Sequence, residues 1–130
     1  MVTFVVRGLP VPQGSAKPFI AGGRARLATK SAPLMAWRTA IATAAATAMG
    51  EEPVMDVPVV VTAWFFLPRP KSIPKRVRYP AGRPDIDKLA RALLDGITGV
   101  VVSDDSRVVS LYTSKAYSDA PGVRVTVEAA

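Results

Sequence analysis

The run VPVVVTAWFFLP, residues 57–68, limits what this chain can become more than any other stretch. It is short, β-branched and aromatic, and bounded by prolines, which fits a strand better than a helix. Its nearly continuous apolarity predicts a central strand covered on both faces. Such a strand needs neighbours on both edges, and the rest of the chain offers them. VTFVVRGLP (2–10), RVVSLYTSKAY (107–117) and VRVTVEA (123–129) read as strands, and VVV (100–102) as a further short one. Two stretches switch to the helical period. Between Pro33 and Met49, residues Leu34, Trp37, Ile41, Ala45 and Ala48 share one face, with Ser31 as cap and Gly50 as stop. In DIDKLARALLDGI, residues Ile86, Leu89, Ala90, Leu93, Leu94 and Ile97 do the same. Pro84 and Asp85 mark its start, and Gly96 or Gly99 its end. The order predicts one α/β (α+β) domain over residues 1–130, with a mixed sheet and two main helices. The aromatic residues Trp37, Trp64, Phe65 and Phe66 are expected in the core, and only an exposed one could stack on an unpaired base.

Charge narrows the function. The chain has 17 Lys and Arg against 10 Asp and Glu, a net charge of +7, with no Cys and no His. Disulfides, thiolate zinc sites, cysteine nucleophiles, imidazole ligands and Ser-His-Asp triads are thereby excluded. The positive balance points to a polyanionic partner, nucleic acid or an acidic membrane surface. No apolar run has the length of a transmembrane span, and the N-terminal residues alternate like a strand rather than a signal peptide. The expected location is therefore the cytoplasm and the expected polyanion a nucleic acid. Much of the charge lies in RPKSIPKRVRYPAGRP, residues 69–84, which holds prolines and bases but no acid and reads as a flexible surface loop. Lys71, Lys75, Arg76 and Arg78 there are candidates for phosphate contacts. Lys17, Arg24 and Arg26 are candidates in a second basic segment, a long loop or loose hairpin. For each single base, a solvated surface position is the competing reading.

Against this basic background, five of the ten acids fall between Asp85 and Asp105: Asp85, Asp87, Asp95, Asp104 and Asp105. Each has a plain structural explanation. Asp85 can cap a helix. Asp87, Arg91 and Asp95 are spaced i, i+4, i+8 as a ladder of surface ion pairs. Asp104-Asp105-Ser106 can be a turn. The set as a whole suggests more, because clustered carboxylates repel one another and any anionic partner. Hard oxygen donors of this kind suit Mg²⁺, which takes few carboxylates and leaves positions for water and phosphate. Such an ion supplies phosphodiester chemistry without histidine.

The segment RPDIDKLARALLDGITGVVVSDDSRVVSLYTSK resembles the signature of the RusA family, phage- and prophage-associated Holliday junction resolvases. The likeness continues more loosely through VRGLPVPQGSAKP and the Trp37-Arg38 helix. The resemblance implies a homodimeric, Mg²⁺-dependent endonuclease, with Mn²⁺ as a substitute, that resolves four-way DNA junctions by paired nicks. It assigns Asp85, Asp87 and Asp105 as the essential metal-binding acids, Asp104 as the acid beside them, and Lys115 as the lysine after the strand. Two positions depart from the family pattern. Lys88 stands where Asn is common, and Arg91 where the family has a functional Lys. Arg keeps the charge and binds phosphate bidentately, but does not exchange a proton near neutral pH. Arg91 and Lys88 are thus both candidates for stabilising transition-state charge, and Lys88 also for DNA contact. The competing class is a non-catalytic, architectural DNA-binding protein, whose acids are caps and turns and whose junction complex ignores metal. An acidic-lipid-surface protein ranks last, because the basic cluster is a Pro-rich loop rather than an amphipathic helix.

Overall fold

The computed structural model describes residues 1–14, 17–28 and 31–130, the segments 17–21 and 24–28 by their backbone. In chain order the elements are β1 (Val2–Arg7), β2 (Lys17–Ala21), β3 (Arg24–Ala28), α1 (Ala32–Met49), β4 (Val59–Leu67), α2 (Ile86–Ile97), β5 (Val108–Tyr117) and β6 (Gly122–Ala129). β2 and β3 form an antiparallel hairpin of their own. The other four strands make one mixed sheet in the order β1-β6-β4-β5. β4 pairs parallel with β5 and antiparallel with β6, and β6 antiparallel with β1. The parallel pair is joined through α2, as a parallel connection requires.

Both helices pack on the same face of the sheet. Phe4 and Val6, Val59, Val61, Ala63 and Phe65, and Val123, Val125 and Val127 meet Leu34, Trp37 and Ile41 of α1 and Leu89, Leu93 and Ile97 of α2 in one core. Side chains such as Phe65, Ile41 and Leu93 are fully buried there, each worth about 1.5–3 kcal/mol of transfer free energy. The helix starts follow local chemistry. The Ser31 Oγ accepts from Leu34 N–H at 3.2 Å at the head of α1. Asp85 occupies the N-cap of α2 without a side-chain cap bond. The helices touch where Gly96 faces Ile41: a Cβ on Gly96 would lie 2.8 Å from the Ile41 Cγ2.

Four expectations are corrected. β4 is central, but only one of its faces is covered. Val59, Val61, Ala63, Phe65 and Leu67 are buried, while Val60, Thr62 and Phe66 are half-buried and Trp64 is exposed. The two helices cannot cover both faces of the sheet, so Trp64 and Phe66 both lie outside the core, Phe66 half-buried on the outer face. Residues 100–102 make a tight turn with an isolated bridge from Met55 to Val102 rather than a strand. The last buried position of α1 is Met49, not Ala48. The ladder expected along α2 is also rearranged: Arg91 pairs with Asp95 and with Asp105 across the chain, and not with Asp87.

Candidate active site

α2 carries the acids because its two faces divide cleanly. Leu89, Leu93 and Ile97 enter the core, which leaves Asp87, Arg91 and Asp95, one turn apart, along a half-exposed strip. The 105–107 turn, just before β5, lies against this strip. Arg91 Nη2 donates to Asp105 Oδ2 at 2.5 Å and lies 3.2 Å from Asp95 Oδ1. Its Nε is buried with no hydrogen-bond partner among the described residues, so the guanidinium is wedged between helix and turn.

The turn is held by its own polar groups. Asp104 accepts from Ser106 N–H at 3.0 Å. Hydrogen bonds from Ser106, side chain first and backbone second, hold the Asp104 carboxyl below its ordinary value. Asp56, from the segment before β4, reaches across to the same turn. Its Oδ1 accepts from Ser103 Oγ at 2.6 Å and from Arg107 Nε at 2.9 Å. The Ser103 bond, then the Arg107 bond and charge, depress the Asp56 carboxyl. Asp56, Ser103 and Arg107 therefore position the segment that presents Asp105. Sequence reasoning missed all three, since nothing local marks a partner some 50 residues away.

At the other end of the strip, Lys115 fixes the entry to α2. Its Nζ donates to Gly82 O at 2.6 Å and Pro84 O at 2.9 Å, the carbonyls just ahead of Asp85. Gln13 N–H reaches Lys88 O at 3.0 Å and anchors the first turn from another side. Asp85 remains exposed, 3.9 Å from Lys88 Nζ, and lines a hollow of about 750 Å³ together with Arg83 and Lys88. Asp87 is exposed and makes no ion pair among the described residues.

The predicted acids thus lie on one side of the molecule but not at one point. Four residues of helix separate Asp87 from Arg91, a rise of roughly 6 Å, and Asp105 belongs to the Arg91 level. Among the described residues, no group of three carboxylates is placed to hold a metal ion. Three of the four predicted ligands are engaged: Asp104 by Ser106 and Asp105 by Arg91, with Asp85 more loosely paired with Lys88 at 3.9 Å. Asp85 and Asp87 are the exposed pair, hard oxygen donors of the kind and number that Mg²⁺ uses beside water and phosphate.

Of the predicted DNA contacts, Lys71, Lys75, Arg76 and Arg78 are exposed on the 69–84 segment, and Lys88 is half-buried in the first turn of α2. Lys17, Arg24 and Arg26 belong to the β2–β3 hairpin, where their side chains lie outside the described residues. The 69–84 segment has no helix or strand of its own. Turns close between Pro70 and Ile73 and between Pro74 and Val77, and Arg69 donates to the carbonyls of Pro74 and Val77. Tyr117 N–H donates to Arg78 O at 3.0 Å, which joins the segment to the end of β5.

A four-stranded mixed sheet under two helices, with a strip of acids along α2, defines a small α+β domain. A family model described as Endodeoxyribonuclease RusA matches residues 8–128, and the chain belongs to that family. Its members are nucleases of the Holliday junction resolvase type. The chain is also similar to a protein of Bacillus subtilis (strain 168) described as uncharacterized protein YqaN. The two are 28% identical over 136 residues, covering 97% of this chain and 94% of that one. No described helix is long and apolar enough to cross a membrane.

Proposed function

We propose that this chain is a divalent-metal-dependent endonuclease that resolves four-way DNA junctions by paired nicks, working as a homodimer in the cytoplasm of a bacterial or phage-infected cell. The observation that carries this reading is the exposed Asp85–Asp87 pair at the head of α2, one turn from an arginine that holds Asp105. Asp85 and Asp87 would hold Mg²⁺ or Mn²⁺, with Asp105 as the third acid. A bound ion of this kind polarises a phosphoryl oxygen and lowers the pKa of its water.

The remaining work falls to the chain's own groups. Lys71, Lys75, Arg76 and Arg78 draw in the sugar-phosphate backbone and hold it in register without reading sequence. Arg91 presents a planar guanidinium that can exchange a carboxylate for a phosphate oxygen pair. Arg91 thus supplies fixed positive charge at the scissile group, while proton transfer falls to water. Lys115 serves as a positioning residue: its ammonium clamps the carbonyls ahead of Asp85 and so fixes where α2 begins. Two-fold symmetry in the protein would match two symmetric nicks in the junction.

The test is incubation with a synthetic four-way junction and a matched linear duplex, in Mg²⁺ and in chelator. Cleavage of the junction alone, only with metal, is the expected result. Asp85→Asn, Asp87→Asn and Asp105→Asn should each abolish cleavage while junction binding is kept or tightened, since each removes a charge that repels phosphate. Wild-type cleavage by two of the three would refute the metal assignment. The separation of Asp105 from the Asp85–Asp87 pair favours one second reading, a junction-binding protein that does not cut. Binding without cleavage in any divalent metal would establish it.

A further inference from the structure

β4 is apolar in both of its phases, yet the core uses only one. Val60, Trp64 and Phe66 point away from the helices, and Trp64 is 36% exposed. On the same outer face Arg124 of β6 is in register with Trp64, and Tyr112 of β5, in register with Thr62, is 63% exposed. At one end of this face the 69–84 segment closes a hollow of about 440 Å³. Its walls include Trp64, Phe66 and Tyr79 together with Arg69, Lys75 and Arg78, and no acid lines it. Lys75 and Arg78 make no ion pair among the described residues. The cations lie over rings instead: Arg78 is 5.9 Å from the Tyr79 centroid, Arg69 4.8 Å from Tyr117 and Arg124 6.0 Å from Phe66.

We infer that this hollow is a second DNA site, one that takes an unpaired nucleobase between aromatic faces while its cations hold the flanking phosphates. Exposed indole and phenol rings stack on any base, and unpartnered Lys and Arg at their rim match the anionic backbone of the same strand. A duplex cannot use the hollow, because its bases are already stacked within the helix. A single-stranded segment, or a base displaced at a branch point, can. The site is separate from the acid strip, which lies on the helix-covered side of the sheet. The inference takes DNA as the ligand from the proposed function but needs neither metal nor cleavage.

The position of the two tryptophans makes the test direct, since Trp37 is 4% exposed and Trp64 faces the hollow. The full chain is titrated in chelator with a short oligodeoxythymidine strand, and tryptophan emission is followed beside the anisotropy of a labelled strand. Binding should quench Trp64. Trp64→Ala should weaken strand binding by at least about fivefold, Trp64→Phe should restore it to within about twofold, and linear duplex binding should be unchanged in both. A melting curve confirms that each variant is folded. Absence of quenching by a strand that binds overturns the proposal, as does equal loss of strand and duplex affinity in Trp64→Ala. So does a shift of Trp64→Ala from dimer to monomer in sedimentation without quenching, which would make this face a contact between two copies. Quenching in a protein that never cuts a junction would uphold this site and refute the proposed nuclease instead.

Discussion

Arg91→Gln tests how the acid strip is wired. The guanidinium bonds Asp105 at 2.5 Å and Asp95 at 3.2 Å, but the Arg91 side chain is 42% exposed and Asp105 38%. Solvent screens both pairs, so each is worth about 0.2–1 kcal/mol rather than the value of a buried bridge. Losing both should cost about 1 kcal/mol in chelator and lower the Tm by about 4 °C. The effect on metal should have the opposite sign. If Arg91 competes for the Asp105 oxygen, removing it frees that oxygen and takes a positive charge from the site. Calorimetric titration with Mn²⁺, without DNA, should then show affinity raised by about 1.5- to 5-fold, the range those energies allow. Arg91→Lys should fall between the two proteins and keep most of the cleavage that Arg91→Ala loses. Unchanged or weaker Mn²⁺ binding by Arg91→Gln would refute the competition. The guanidinium would then be what aims Asp105 at the metal.

Three other perturbations bear on separate parts of the structure. Gly96→Ala gains about 1 kcal/mol of helix propensity but drives a methyl against the buried Ile41 side chain, 2.8 Å away. Overpacking of about 1–3 kcal/mol should win, and chemical denaturation should show a net loss that adding Ile41→Leu, which removes the Cγ2 branch, partly recovers. Asp56 is depressed in the folded chain by Ser103 and Arg107, so its contribution is complete above its ordinary value of 3.8 and is lost as pH falls through its lower folded value. The Tm difference between wild type and Asp56→Asn should therefore be constant from about pH 5 upward and shrink in strong acid; a difference that grows on acidification would contradict the bonding. Replacing Lys75, Arg76 and Arg78 together by Ala should lower the slope of log affinity against log salt by about 2–3 for duplex DNA. An unchanged slope would move the phosphate contacts to the β2–β3 hairpin.

What the sequence made legible follows the range over which each feature is determined. The face of α2 was readable because Leu89, Leu93 and Ile97 repeat at the helical period, and that period also sets Asp87, Arg91 and Asp95 on the opposite side. Which acid Arg91 chooses was not readable. Helical pairing favours the acid on the N-terminal side of the base, which would be Asp87. Asp105, fourteen residues away, draws the guanidinium toward the other end and makes Asp95 the nearer helical partner. Lys115 was singled out only by the family resemblance, and it lies within β5 rather than after a strand. Its actual partners, the carbonyls of Gly82 and Pro84, are set by the parallel registry of β4 and β5, a feature of the whole fold.

The misreading of β4 has a definite physical origin and a consequence. A continuous apolar strand predicts two covering layers only when all its apolar residues serve the fold, and a chain with two main helices on one face has no second layer to supply. The inward phase, Val59 to Leu67, accounts for the core. The outward phase leaves Trp64 exposed and Phe66 half-buried. An exposed aromatic patch bordered by cations suits an anionic partner that brings apolar rings of its own. On the proposed reading, the charge excess that opposes the clustered carboxylates on the helix side would serve both faces of one sheet. On one it would bring phosphate to acids that would otherwise repel it, and on the other it would border rings on which a base could stack.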